Sequence, residues 1–262
     1  MATTLTETTF SSTYKDDFAD SAGYHRILFN SGKALQAREL TQLQTILSKQ
    51  IQRFGDNVFK EGAVVKPGGA NINPKYEFIK LDTTTNTLPS NSSSLIGSTI
   101  TGATSQIQAK ILQVVAASGS DPDTLYVQYI NTEQAQASAT TVAKRMQAGE
   151  NMTGVSPLTV QTTDTAEDPA TGVGVLVTLL SGVYYARGAF VFTEDQSKII
   201  AKYTDNVDAE VGFKAVEDVV TASDNNSLFD NQGAVPNLTA PGADRYRTVS
   251  YTHLTLPTIC SV

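Results

Sequence analysis

Between Ala34 and Phe54 the apolar residues recur at a spacing that suits a helix and no other regular element. Leu40, Leu43, Ile46, Leu47, Ile51 and Phe54 fall, at 100° per residue, within one stripe of about 140°. Arg38, Gln42, Thr45, Lys49 and Gln52 lie opposite. Ser31 stands where an N-cap would accept from free amides, and Gly55 where a C′ glycine would end the run. Residues 31–56 are therefore expected to hold one long amphipathic helix, whose stretch from 34 to 54 would make a rod of about 31 Å. Burying the six stripe residues would contribute on the order of 10 kcal/mol before entropy. Such a stripe calls for a partner, and two destinations stay open: the chain's own β-domain, or a bundle with copies or neighbours in an assembly. Gln36, Gln44 and Gln50 on its margins suit either, because neutral amides cost less to desolvate than charges.

Past Gly55 the pattern changes to short alternating runs. "NVFKEGAVV" (57–65) reads as β-like, "KPGGANINP" (66–74) as turn-rich, and "KYEFIKLD" (75–82) as a half-buried strand. "TTTNTLPSNSSS" (83–94) and "QTTDTAEDPATG" (161–172) read as polar linkers. Between them lie short strands separated by turns such as "GSDPD", which suggests a small barrel or sandwich. Strand-like sequence rich in Val, Tyr and Phe resumes at "VGVLVTLLSGVYYARGAFVFTED". Before the helix, Phe10, Tyr14 and Phe18 are spaced by four, as in one turn of a docking helix or an extended arm on a neighbour. The fold class expected is α+β, mainly β. Its parts are an arm (1–30), the long helix (31–56), a first β segment of a host domain (57–87), an inserted small β-module (88–160) and a second host segment (172–248).

Composition narrows the function. Apolar residues make up 40% of the 262, and no window approaches the uninterrupted apolar length of a membrane span. The net charge of −7 and a pI near 4.8 argue against nucleic acid, which needs clustered Lys and Arg. The start shows neither the basic nor the apolar region of a secretory signal. A single cysteine excludes an internal disulfide, and no Cys/His cluster has zinc spacing.

The remaining chemical candidates are weak. His25 has no base partner or ligand set beside it. "GVGVLV" lacks the third glycine of a dinucleotide loop, and "KPGG" lacks the following Gly-Lys-Ser/Thr of a phosphate loop. Asp224, Asn226 and Asp230 resemble part of a calcium loop without its glycine and terminal glutamate. Glu150 and Glu217 have no partner carboxylate at a defensible spacing. No catalytic, cofactor or metal residue is therefore assigned, and an enzyme is not expected.

The tail needs separate treatment. "VSYTHLTLPT" (249–258) resembles a translated transposase-type sequencing adapter, which would continue with three codons of variable sequence, the first beginning with A as every isoleucine codon does, then a Val and a stop, a pattern that Ile259–Val262 fits. A terminal strand is the competing reading, since "SYTHLTL" alternates and is rich in β-formers. The adapter reading sets residues 249–262 aside, with His253 and Cys260. It implies a chain cut near Arg247 or Thr248, with an unpaired strand edge prone to aggregation.

"GYHRILFNSGKALQARELTQLQTILSKQIQRFGDNVFKEGAVV" (23–65) resembles the amino-terminal signature of a family of tailed-bacteriophage virion proteins associated with tail and baseplate. "SGVYYARGAFVF" through "DNNSLFDNQGAVPNLTAPGADRYR" resembles the same family's second block, in the right order. The resemblance implies a virion structural protein assembled in the bacterial cytoplasm, with other tail or baseplate subunits as partners in a homo- or hetero-oligomer. It implies no cofactor, nucleic acid or membrane, and transfers no site residue. The rival reading is a receptor- or carbohydrate-binding fibre protein, with the inserted module as adhesin. Its stacking candidates would be Tyr126 and Tyr129, on opposite strand faces.

Overall fold

The structure is a computed structural model that describes residues 7–84, 88–89, 91–131, 134–135, 142–155, 158–229, 237, 239 and 241–255, without the side chains of 7–9, 134–135, 142–143 and 253–255. Asp230, Cys260, the His253 side chain, and linker positions 85–87 and 90 lie outside the described residues. The described chain is mainly β, with one long helix. Helices α1 (Glu7–Thr13) and α2 (Ala37–Val58) precede β1 (Gly69–Lys80), β2 (Thr99–Gly102), β3 (Gln108–Val115) and β4 (Thr124–Asn131). There follow β5 (Gln134–Ala135), β6 (Val142–Ala143), β7 (Asn151–Thr153), β8 (Leu158–Thr159) and β9 (Thr171–Leu180). The last strands are β10 (Gly182–Ala186), β11 (Ala189–Thr193), β12 (Gln196–Ala201), β13 (Glu210–Val220) and β14 (Arg245–Thr255). Two compact units result, one of 7–71, Thr178–Gln196 and Glu210–Thr255, the other of Ile72–Val177 and Ser197–Ala209. The module expected at 88–160 lies inside the second.

The second unit is built on a sheet of order β12-β9-β1-β4-β3-β2-β7-β8. The sheet curls until β8 meets the end of β1: Leu81 bridges Val160, and the amides of Asp82 and Gln161 donate to the carbonyls of Thr159 and Lys80 at 3.0 and 2.9 Å. Alternation decides what fills the curl. Ile79, Leu81, Ile107, Ile111, Leu125 and Val127 point inward and are buried, with Met152, Leu158 and Val160. Residues of opposite parity, Tyr76, Phe78 and Tyr126, form a second cluster with Leu176, Ile199 and Tyr203. There the Tyr76 and Tyr126 rings stack at 4.8 Å. "GVGVLV" is strand β9, and its glycines serve close packing, since a Cβ on Gly172 would come within 2.9 Å of the Phe78 ring.

Two buried polar groups fix this unit. Lys80 is 3% exposed, with Nζ 2.5 Å from an Asp168 oxygen and 4.1 Å from the Tyr203 ring centroid. The Lys80 hydrogen bond holds the Asp168 carboxyl below the usual carboxylate range. Glu150, for which the sequence offers no role, is 4% exposed. Its carboxylate accepts from the amides of Thr104, Ser105 and Gln147 at 3.1, 2.9 and 2.6 Å, and from the Ser105 hydroxyl at 2.9 Å.

In the first unit the sequence expectations need correction at both helix ends. The helix starts at Ala37, not near Ser31, because the Gln36 amide donates to the Glu39 carboxylate at 2.9 Å and closes the first turn there. Gly55 does not end it. The helix runs on to Val58, taking two residues from the expected β-run, and the Phe59 amide donates to the Gly55 carbonyl at 2.7 Å. The rest of that run lies along β10, where Val64 bridges Tyr184 and the Gly62 and Val65 amides donate to the Tyr185 and Val183 carbonyls at 2.8 Å each. "GANINP", expected as turn, is the extended start of β1. The arm docks through short α1: Phe10 meets Tyr246 edge-on at 5.5 Å, and the Tyr14 hydroxyl donates to Asp244 at 2.8 Å.

Strand β14 pairs β13 over its whole length, from Arg245 against Val220 to Thr255 against Glu210. It thus includes Val249–Thr255 of the segment set aside above, and β13 is not left as an open edge along β14. Ladder bonds are made by backbone, so an alternating run of β-formers of any origin can supply them.

Replacing Glu150 by Ala leaves its donors buried without an acceptor and is expected to destabilise the second unit by on the order of 3 kcal/mol. Urea denaturation followed by tyrosine fluorescence measures it, and an unchanged midpoint would contradict the role given to Glu150.

Candidate interaction surface

The position of α2 is set by one hairpin. β10 and β11 are joined by Arg187 and Gly188, with φ of 52° and 75°, the signature of a type I′ turn whose twist suits a two-residue hairpin. An arginine at positive φ is uncommon, and its surroundings hold it. The Arg187 amide donates to both Glu61 oxygens at 3.0 and 3.1 Å, and its guanidinium to Glu217 at 3.0 Å. Glu217 also accepts from the Tyr246 hydroxyl at 3.0 Å, so it ties the hairpin to β14.

This hairpin presents Tyr185, 1% exposed, to the helix. Its ring lies on Gly55, where an added Cβ would sit 2.6 Å from the ring carbon bearing the hydroxyl. The hydroxyl donates to Asp56 at 2.6 Å and reaches the Gln52 carbonyl at 3.1 Å. Phe59 and Phe190 flank the ring at 5.7 and 5.5 Å. Burial, then the bond to Asp56, pushes the Tyr185 pKa up to about 12. On the adjoining side Thr45 donates to Asp16, which also accepts from the Phe18 amide at 3.1 Å.

The helix therefore seats on the polar flank that the sequence places opposite the stripe. Of the six residues expected to pack together, only Ile46 is buried, at 2% exposed, and Leu43 is half-buried. Leu40, Leu47, Ile51 and Phe54 are 45%, 57%, 50% and 65% exposed. Val58, at 57%, joins them and was hidden from sequence reasoning by the expected stop at Gly55. The five project within about 60° of one another around the axis. Of the two destinations left open for the stripe, the chain's own β-domain does not cover it, and most of it is an open apolar face. The reason is geometric: Gly55 is the one position thin enough to take the Tyr185 ring, and it lies off the stripe.

The other candidates gather no chemistry. His25 is exposed in an irregular segment. Asp224 accepts from the Thr221 amide and hydroxyl, closing a local turn, and these bonds lower its pKa. Among the described residues no group of three or more His, Cys, Asp or Glu is placed to hold a metal ion, and no helix is long and apolar enough to cross a membrane. Tyr126 is fully buried, and Tyr129 packs half-buried on the opposite, inner cluster, so neither offers a sugar an open ring face. A cavity of about 600 Å³ in the first unit is bordered by Tyr184, Arg187, Val191 and Phe213.

Residues 12–86 match the family profile described as a domain of unknown function, DUF4815. That stretch spans most of the arm, the whole of α2 and β1. No curated protein matches the chain, and no solved structure does.

Two outcomes follow from the seating of α2. Gly55→Ala forces a methyl group into the Tyr185 ring and is expected to cost about 1–3 kcal/mol, read as a lower melting temperature. A tyrosine whose folded pKa is raised contributes stability that is intact below the unfolded value of about 10 and is lost as pH rises through about 12. Stability of the first unit should fall over that interval, and Tyr185→Phe should flatten the fall; a variant with the same alkaline slope would contradict the assignment.

Proposed function

We propose that this chain is a structural component of a tailed-bacteriophage virion, of the tail or baseplate, and acts through protein–protein assembly. The observation that carries the assembly reading is the open apolar face of α2. Five large side chains, each about half exposed, stand in one row on a helix that is already held by aromatic packing and hydrogen bonds. Contiguous apolar surface of this kind marks an interaction site. The phage assignment draws its support from the two sequence blocks, 23–65 and 181–247, that resemble the virion family. In this reading the curled sheet of the second unit is a small barrel-like module inserted in a host domain and serves as a rigid spacer. The function needs no cofactor, and its partners are other virion subunits.

Mass spectrometry of gradient-purified particles from a phage carrying this gene tests the reading. Peptides of this chain should be recovered at a stoichiometry of several copies per particle. Leu47→Asp with Phe54→Asp should reduce incorporation at least about tenfold while the soluble protein persists in the lysate. Absence of the wild-type chain from intact particles would defeat the virion assignment.

A further inference from the structure

The open face of α2 has a finer period than amphipathicity requires. From Ala37 one row of exposed positions runs Ala37, Leu40, Gln44, Leu47, Ile51, Phe54 and Val58, with steps of three and four in strict alternation. That is a heptad seam, with Ala37, Gln44, Ile51 and Val58 at a and Leu40, Leu47 and Phe54 at d. Every one of the seven is exposed. The residues that seat the helix on its own unit, Thr45, Ile46, Gln52, Gly55 and Asp56, fall at b, c, e and f, outside the a and d positions of the seam. We propose that a second copy of this chain covers the seam, the two α2 helices pairing in parallel as a two-stranded coiled coil. The inference rests on the assembly reading only for the stripe being an interface; it adds what covers it.

Three features select a second copy over a different partner. First, the seam and its flanks are uncharged. Thr41, Ser48 and Gly55 stand at e, and Leu43, Gln50 and Asn57 at g, while Arg38, Glu39, Lys49, Arg53 and Asp56 all fall at b, c or f. In a parallel pair each g position faces an e position of the other helix, and neutral residues at both leave nothing there to repel a second copy of this chain. A different helix is normally selected through opposite charges at these positions, and none exist here. Second, Ile and Val at a with Leu at d favour two strands over three. Third, Gln44 fixes direction. In a parallel pair it meets Gln44 of the other copy, and the two amides can bond each other. With the helices antiparallel an a position faces a d position, so Gln44 would lie against a leucine or phenylalanine and its amide would be buried without a partner.

The area agrees. The five large seam side chains are each about half exposed, on the order of 100 Å² apiece. Pairing two copies would then remove roughly 1,000 Å², the lower limit for specific association. A reversible dimer is the expected strength.

The test is sedimentation equilibrium of the full 262-residue chain carrying Cys260→Ser, across the micromolar range. A two-chain mass is expected. Gln44→Cys in that background should form a disulfide-linked pair under mild oxidation, whereas Lys49→Cys, at an f position, should not. Leu47→Glu with Ile51→Glu should raise the dissociation constant at least about 100-fold. Gln44→Leu should instead tighten the pair about tenfold, a gain that misfolding cannot mimic. A monomer at every concentration, a three-chain mass, or a dimer indifferent to the seam variants would each overturn the proposal. The two readings fail separately: a monomer that still enters virions defeats self-pairing alone, and a dimer absent from virions defeats the virion assignment alone.

Discussion

The Tyr185 ring on Gly55 is the contact from which the first unit's surface follows. A phenol needs a flat apolar bed and an acceptor for its hydroxyl, and one turn of α2 offers both, with Gly55 beneath the ring and Asp56 and the Gln52 carbonyl beyond it. No residue with a side chain would admit the ring so closely. Once that turn is fixed, the 100° step of the helix leaves no freedom elsewhere. Gln52 and Phe59 turn toward the hairpin, and Leu40, Leu47, Ile51 and Phe54 turn away. An apolar stripe that would otherwise supply the strongest drive to collapse onto the β-strands is held outward by one glycine.

The second unit uses the same economy of means with buried polar groups. Lys80 is enclosed between a carboxylate and the Tyr203 ring, and Glu150 gathers four donors from two loops. Burying these charges in isolation would be unfavourable. Held by these partners they favour one arrangement of the loops over its competitors. Neither group shows any opening toward a substrate. Their burial reads as structural, and the pairing of Glu150 with backbone amides explains why no second carboxylate accompanies it.

What the sequence revealed was periodicity, and what it concealed was choice between local signals. The helix, the alternating strands from "KYEFIKLD" onward and the β-rich class follow from spacing alone, because 3.6 and 2 are properties of backbone geometry. Ser31 and Gly55 misled because each is a good terminator in isolation. The decision was taken by Glu39 reaching back to the Gln36 amide, and by a ring 130 residues away that made Gly55 a packing site. "GANINP" misled because glycine, asparagine and proline favour turns, yet this stretch extends as the exposed lead-in to β1. Which face of the helix would be buried was not legible at all. That depends on Tyr185, and nothing local to α2 announces it. The strict alternation of threes and fours, by contrast, was present in the residues, and it becomes distinguishable from a broader amphipathic stripe only once Leu43 and Ile46 are known to turn aside.

The seating of α2 also separates folding from association. A free helix of this length is marginal in water, and a seam on such a helix would have to be ordered at the moment of binding. Here the ordering is completed by contacts at b, c, e and f, which leave the a and d positions of the seam free. On the proposed pairing the unit would fold as a monomer with its seam already formed, and association would cost little conformational entropy beyond the seam side chains themselves. An assembly that adds subunits in order needs that independence, since a subunit that folded only on meeting its partner would expose strand edges while it waited. The neutral seam has a matching consequence. It lacks the long-range attraction that charges would give, so encounter would be slow and salt-insensitive, and the register would be set at contact by Gln44 and by the fit of Ile51 and Phe54.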